Sequence, residues 1–447
     1  MGHLILLVLI LFYFFLLAGC NMMSRKIVIT PEFIFIACFL PQMTYALFYV
    51  DKWNLVLSAD TFFVYLLGGL MVVVFSFVFK WMFHINDRVL NITPISNNDQ
   101  SKRICIDKWK LIFFLIIQII AIILFIKTLR SITGQSSISE SIAFYNIASK
   151  SAGVTLPFLP GKLHLLSYLS GFVWIYYLVH ALVYKYKTYY ILLSANLFLS
   201  ILSNLVTGSR GGVVQNIIVG VVLFYFFIED KRGWKKIPTK YIMRLVLLFI
   251  ALIALFQWSL QLVGRASNID TFGDYIALYI SAEMKNLDMK IRAGNMGFNS
   301  LEDSRTLSGL ISLASEIFGF DVNRRFADIS TYNTYNGIEL GNVYTIFYAF
   351  ITDLHYLGLV IFPGLMAFIS QLSLKAAIKP QTHRSKLEMG KLIYAYLITQ
   401  TMFSFFSDWF FDSMFSTGFI WTLFIWYAIY FFMDTRHIVS HGRLKIG

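Results

Sequence analysis

Charge is scarce in this chain. Asp, Glu, Lys and Arg make up 14% of its 447 residues, against about 25% in an ordinary soluble domain. There are eight prolines and three cysteines. So little charge beside so much apolar residue excludes a disordered chain and a free-standing soluble domain. Cys20, Cys38 and Cys105 form no even set for a disulfide framework and have no metal-ligand spacing. The signatures of soluble enzymes are missing as well: no Walker A loop, no GxGxxG, no HExxH and no GxSxG. No DxD carboxylate pair stands in the loops read below as external, so the expectation is a protein with no metal and no cofactor.

Apolar residues are abundant, at 58% of the chain. A bilayer span needs about 20 of them in succession. Such runs recur at 2–20, 31–50, 60–83, 111–129, 162–184, 189–206, 212–228, 244–263, 354–375, 391–407 and 413–433. The sequence therefore predicts an all-α polytopic integral membrane protein of about eleven transmembrane helices, with residues 1–447 forming one transmembrane domain.

The sparse cations orient it. Arg25 and Lys26 follow the first run, and Arg88, Lys102, Arg103, Lys108 and Lys110 lie after the third. Lys185 and Lys187 follow the fifth, and Lys231, Arg232, Lys235, Lys236 and Lys240 the seventh. Lys375, Lys379, Arg384 and Lys386 follow the ninth, with Arg436, Arg443 and Lys445 in the tail. The intervening short loops hold Lys52 or Arg210 alone, or none. The positive-inside rule then expects an external N-terminus and a cytoplasmic C-terminus. It also explains the +13 balance as topology, with no nucleic-acid partner. Leu17-Ala18-Gly19-Cys20 matches a lipoprotein cleavage site, but no Lys or Arg precedes it, and a retained first span is expected.

Two external segments stand out. Residues 130–161 are Ser-rich, and 264–341 form a large external loop, longer than a passive connection needs. Within the latter, 274–291 and 306–320 have helical apolar spacing, and both are read as amphipathic helices on the outer membrane surface or over a cavity. The stretch 342–375 is too long for one span, so its start is read as re-entrant or interfacial, with the span beginning near Asp353. His180 is almost the only ionisable group deep in a run, which speaks against a midplane transport site. It is read as a packing histidine.

The sharpest local feature is "TGSRGG" (207–212). Glycines at 208, 211 and 212 allow a tight turn, Ser209 and the following helix N-terminus offer donors, and Arg210 supplies charge. Together they make a candidate phosphate clamp. Arg265, Arg292, Arg305, Arg324 and Arg325 lie in the large loop, with Arg305 the least well placed by sequence. That loop holds ten acidic residues against seven basic ones, so it is no basic field.

"TGSRGG" opening one span, followed by "GNVYTIFYAFITDLHYLGLVIFP" (341–363) opening a later one, resembles the O-antigen polymerase (Wzy-type oligosaccharide repeat-unit polymerase) family of bacterial envelopes. The resemblance extends to the architecture of nearly the whole chain. It implies a lipid-dependent glycosyltransferase-like fold of the GT-C type in the bacterial inner membrane. The implied activity is polymerisation of undecaprenyl-pyrophosphate-linked oligosaccharides on the periplasmic face, amid membrane lipid and with a chain-length-determining co-polymerase. The alternatives are an O-antigen ligase and a lipid-linked oligosaccharide flippase, a transporter. By this resemblance Arg210 and the loop arginines contact pyrophosphate or glycan, as do Ser209, Asn342 and Tyr344. The paired Arg-x10-Gly loop motifs of some relatives are absent. A transferred sugar hydroxyl needs a general base; Asp353 and His355 are the first candidates by depth, with Glu283 and Asp408 in reserve. Tyr332, Tyr335 and Tyr344 are candidates for stacking on sugar rings.

Overall fold

A computed structural model describes residues 2–24, 27–90, 104–151, 156–208, 211–234, 272–294, 304–319, 333–378 and 386–434. The described chain is mostly helical, and six helices are long and apolar enough to cross a membrane: Gly2–Met23, Ala59–Met82, Lys108–Thr133, Phe158–Tyr184, Gly211–Arg232 and Ile346–Ala377. Shorter helices cover Pro31–Leu47, Tyr190–Leu205, Met389–Met402 and Thr417–Met433, all at expected runs. The expected run 244–263 lies outside the described residues. This is the architecture of a polytopic helical membrane protein. It is not wholly α-helical: Asn333–Tyr335 and Ile338–Gly341 pair as an antiparallel hairpin.

The chain divides into two compact units. The first comprises Met1–Leu90, Asn268–Ile378 and Leu397–Phe419; the second comprises Asn91–Ser267, Lys379–Tyr396 and Ile420–Gly447.

In the first unit, helix Pro31–Leu47 starts at Thr30, whose hydroxyl accepts the Phe33 N–H, with Pro31 preset for the first turn. Ser58 caps Ala59–Met82 in the same way. The core between these helices and Ile346–Ala377 is aromatic. Phe347 stacks on Phe39 at 5.1 Å and meets Tyr65 edge-on at 5.4 Å. Such pairs contribute about 0.5–1.5 kcal/mol each beyond their buried area. Gly68 lets this ring in, because a Cβ there would lie 2.3 Å from the Phe347 ring. Ionisable groups are buried here too, at helix ends rather than mid-run. Lys80 Nζ lies 3.1 Å from Glu32 Oε1 and donates to Ser24 Oγ, while Gln371 donates to the other Glu32 oxygen.

Helix Ile346–Ala377 is two helices. Leu354 and His355 leave helical geometry, His355 with φ +51° and ψ −142°. The chain folds back so sharply that a Cβ on Gly358 would sit 1.9 Å from the Phe350 carbonyl oxygen. The segment before the break is buried, and the long apolar helix follows it, so the chain does break near Asp353.

In the second unit, polar side chains tie apolar helices together, as buried polar groups do in a bundle without water. Ser170 bonds Gln118 at 2.8 Å and Trp174 at 3.0 Å, and Asn196 donates to the Leu111 carbonyl. His180 is enclosed by Tyr176, Tyr184, Tyr186 and Phe227, with its Nδ1 3.0 Å from the Tyr186 hydroxyl. That arrangement matches a packing histidine. The Ser-rich segment 130–161 contains a helix, Ile138–Ser151, whose Ile142 and Tyr145 pack on Phe125, Leu129 and Val206.

Candidate functional site

The TGSRGG turn belongs to the second unit. Gly208 takes φ +73°, the left-handed conformation expected of a glycine there. Asn146, on helix Ile138–Ser151, donates its amide to the Gly208 carbonyl at 2.9 Å and so holds the turn from outside the motif. Gly212 opens the next helix against Asn204, whose Nδ2 lies 1.7 Å from where a Cβ would stand. A helix begins at Gly211, and the first turn of a helix leaves N–H groups without intrahelical partners. Ser209 and Arg210 lie outside the described residues, as do Arg265, Arg324, Arg325 and Tyr332.

The remaining candidates gather in the first unit. Instead of one surface helix over 274–291, two helices form, Phe272–Ile280 and Ala282–Arg292, broken at Ser281. Residues Ala282 to Asp288 are all buried, so of the two placements expected, on the outer surface or over a cavity, this stretch does not take the first. The physical reason is that its polar groups find partners on the segment 54–61. Asp288 Oδ1 accepts from the Ser58 N–H and the Thr61 hydroxyl, each at 2.8 Å. Arg292 donates Nε to Asp288 at 2.8 Å and Nη2 to the Val56 carbonyl. Lys285 donates to the Asn54 carbonyl at 3.0 Å and lies 4.2 Å from the centre of the Tyr335 ring. Arg292 therefore acts here as an anchor between two segments. Helix Ser308–Phe318 does lie at the surface, with Ile317 and Phe318 exposed.

Asn286, fully buried, donates its amide to the carbonyls of Leu340 and Val343 at 3.0 Å each. This clamps the exit of the hairpin, whose turn residues Asn336 and Gly337 both have positive φ. Asn-Gly is the strongest short-range hairpin signal, and it stands in the sequence as "YNG". The clamp sets the position of Asn342, half-buried in the bend, and of Tyr344. Tyr344 shares hydrogen bonds with the Asn333 side chain (2.9 and 3.2 Å) and lies 4.4 Å from Tyr348, ring centre to ring centre. Two cations flank this pair: Lys290 Nζ is 5.9 Å from the Tyr344 ring and the Arg305 guanidinium carbon 5.7 Å from Tyr348. Arg305, Lys290 and Asn286 carry no motif of their own; only the fold brings them beside Tyr344 and Tyr348, which share the segment "NVYTIFY".

Asp353 is buried just before the helix break, and both its oxygens are occupied. It accepts from the Arg305 N–H (2.7 Å), the Thr306 N–H (2.9 Å) and the Ser304 hydroxyl (2.9 Å). It is the anchor that holds residues 304–306 in place. His355, two residues on, is exposed at the break. Asp408 caps helix Trp409–Met414 through one oxygen, which accepts the Phe411 N–H at 3.2 Å. Its other oxygen is buried without a hydrogen-bond partner. Burial, then the charges of Asp412 and Asp353, push the Asp408 carboxyl well above the usual carboxylate range, against the Phe411 N–H. Glu283, also fully buried, is raised by burial as well. Among the described residues no group of three or more His, Cys, Asp and Glu side chains is arranged to hold a metal ion.

Fold and site together define a polytopic helical membrane protein with an aromatic and cationic patch built from its inter-span segments. Comparison with protein-family models, curated proteins and solved structures finds no match to this chain.

Proposed function

We propose that the chain is a surface-polysaccharide polymerase of the bacterial inner membrane. It joins undecaprenyl-pyrophosphate-linked oligosaccharide units on the periplasmic side, in a GT-C-like frame with the N-terminus outside. The observation that carries the reading is the patch of Tyr344 and Tyr348 flanked by Arg305 and Lys290. Aromatic faces suit sugar rings, and guanidinium groups suit phosphate oxygens in bidentate geometry. The patch is formed by the segment "NVYTIFY", one of the two motifs on which the family resemblance rests. In the other motif, the glycine turn and helix N-terminus lead to and from Arg210.

In this reaction the leaving group is a pyrophosphate anion, so negative charge develops there in the transition state. By the family resemblance Arg210 and loop arginines stabilise it; within the first unit Arg305, beside Tyr348, is the arginine the geometry favours, since Arg292 is held as an anchor. Ser209, Asn342 and Tyr344 contact the lipid-linked substrate, and a co-polymerase sets chain length.

The test is the lipopolysaccharide banding pattern of a strain lacking the gene, complemented by wild type or by Arg210→Ala. A polymerase leaves a single repeat unit on the core when absent, and Arg210→Ala gives the same band while the protein remains in the membrane. Loss of all repeat units from the core indicates the ligase, and failure of units to reach the periplasm indicates the flippase.

A further inference from the structure

The proton released by the attacking sugar hydroxyl needs an acceptor, and the structure discriminates among the carboxylates near the patch. Both Asp353 oxygens already take hydrogen bonds from residues 304–306. No hydrogen bond among the described residues orients the exposed His355 ring, whereas a base in an active site is held by a further group. Glu283 is buried with neither oxygen held by a hydrogen bond, and Asp408 differs from all three. Only 6% of the residue is exposed. One oxygen is fixed by the Phe411 N–H and the other has no partner.

The surroundings of that oxygen suit a hydroxyl-rich ligand. Asp412, on the same short helix, is exposed and accepts from the Ser308 hydroxyl at 3.0 Å, which ties helix Ser308–Phe318 to it. The approach is close: a Cβ on Gly309 would lie 2.6 Å from the Phe415 carbonyl oxygen. Asp353 acts electrostatically on Asp408 from the neighbouring segment. Thr306, whose N–H Asp353 accepts, and Thr352, the residue before Asp353, carry buried hydroxyls with no hydrogen-bond partner. Buried polar atoms are normally paired, so a carboxyl oxygen and two hydroxyls without partners around one anchored aspartate form a place for a polar ligand.

We propose that Asp408 is the general base of the transfer, taking the proton of the acceptor sugar hydroxyl, with Thr306 and Thr352 binding neighbouring hydroxyls of that sugar. The hydroxyl oxygen attacks the anomeric carbon of the donor glycan as its proton passes to the free Asp408 oxygen. The new carbon–oxygen bond forms while the bond to pyrophosphate breaks, and its electron pair leaves with the pyrophosphate. Asp353 and Asp412 are positioning residues: the first holds the 304–306 turn, the second holds Ser308, and both present negative charge to Asp408. The charged groups facing Asp408 are then Asp412 on its own helix and Asp353 on the adjacent segment, with Arg305 beside Asp353. A base must be ionised to act, and these neighbours raise the pH at which that happens.

The inference rests on the polymerase reading, and its test separates the two. Full-length protein in lipid is supplied with undecaprenyl-pyrophosphate-linked repeat units from its own cell, and polymer formation is followed across pH. Wild type is expected to gain activity with rising pH along an acid limb. Asp408→Asn is expected to lose at least about a hundredfold, and Asp408→Glu to recover part of the loss. Asp412→Asn, at an exposed position, is expected to move the acid limb to lower pH. Active wild type with Asp408→Asn within about threefold of it overturns the base and leaves the polymerase standing. No polymer from wild type overturns both. Should Asp408→Asn fail to fold, the Asp412→Asn profile decides, and an unmoved limb overturns the proposal.

Discussion

His355 offers a test in which the sign of the effect, more than its size, carries the information. Its φ of +51° with ψ of −142° is a region that glycine enters freely and residues with a Cβ avoid. Holding a non-glycine residue there costs about 1–3 kcal/mol. The strain follows from the fold-back that places Gly358 against the Phe350 carbonyl. The imidazole is exposed, so removing it forfeits little packing. Ala and Gly both delete the ring, but only Gly relieves the backbone. In an ordinary helix interior Gly is about 1 kcal/mol worse than Ala. Here about 2 kcal/mol of relief, less about 1 kcal/mol of added unfolded-state entropy, should make His355→Gly about 1 kcal/mol more stable than His355→Ala. For a chain of this length that is only about 1 °C in Tm, so hydrogen exchange of amides 354–358 is the better readout. There it corresponds to roughly fivefold slower exchange through local opening. Equal protection, or better protection in His355→Ala, would refute the strained conformation and with it the re-entrant break.

Three further outcomes are expected. Asp353→Ala leaves two backbone N–H groups and the Ser304 hydroxyl without their acceptor; at about 1–3 kcal/mol per unpaired buried group, amides 305 and 306 should exchange at least tenfold faster, and unchanged protection would count against the anchor. Gly68→Ala drives a methyl into the Phe347 ring, which Phe35, Phe39 and Tyr65 hold in place; thermal unfolding should show a loss of about 1–3 kcal/mol, and a neutral result would contradict that packing. Glu283 and Asp408 both have folded-state carboxyls raised by burial, so the folded protein holds their protons more tightly than the unfolded chain. Stability should therefore be highest at or below the ordinary carboxylate range and fall as pH rises from there towards their folded values. Glu283→Gln should flatten part of that fall in a denaturation series against pH, and an unaltered slope would exclude Glu283 as a contributor.

Much was legible in the sequence because lipid leaves few options. A chain 58% hydrophobic must satisfy its backbone internally, and helices of span length follow from the apolar runs alone. Gly208 announced its left-handed turn, and the excess length of 342–375 announced a break before the long helix. The Asn336-Gly337 turn was equally legible as a local hairpin signal. These are features that neighbouring residues decide among themselves.

Tertiary structure decided what the polar residues do. An amphipathic pattern over 274–291 says that one face is polar, but not whether water or protein meets it. Partners at Asn54, Val56, Ser58 and Thr61 turned that face inward and made Arg292 an anchor. Hydrogen-bond capacity is finite: three donors occupy both oxygens of Asp353, whereas Asp408 is held through one oxygen and keeps the other to spare. Arg305, unremarkable by position, reached Tyr348 only because residues 304–306 are tied to Asp353. Sequence alone determined a membrane-crossing helical chain with polar groups concentrated between its spans. Which of those groups support the fold, and which are left open to a ligand, depended on contacts between residues far apart in the chain, which no local pattern encodes.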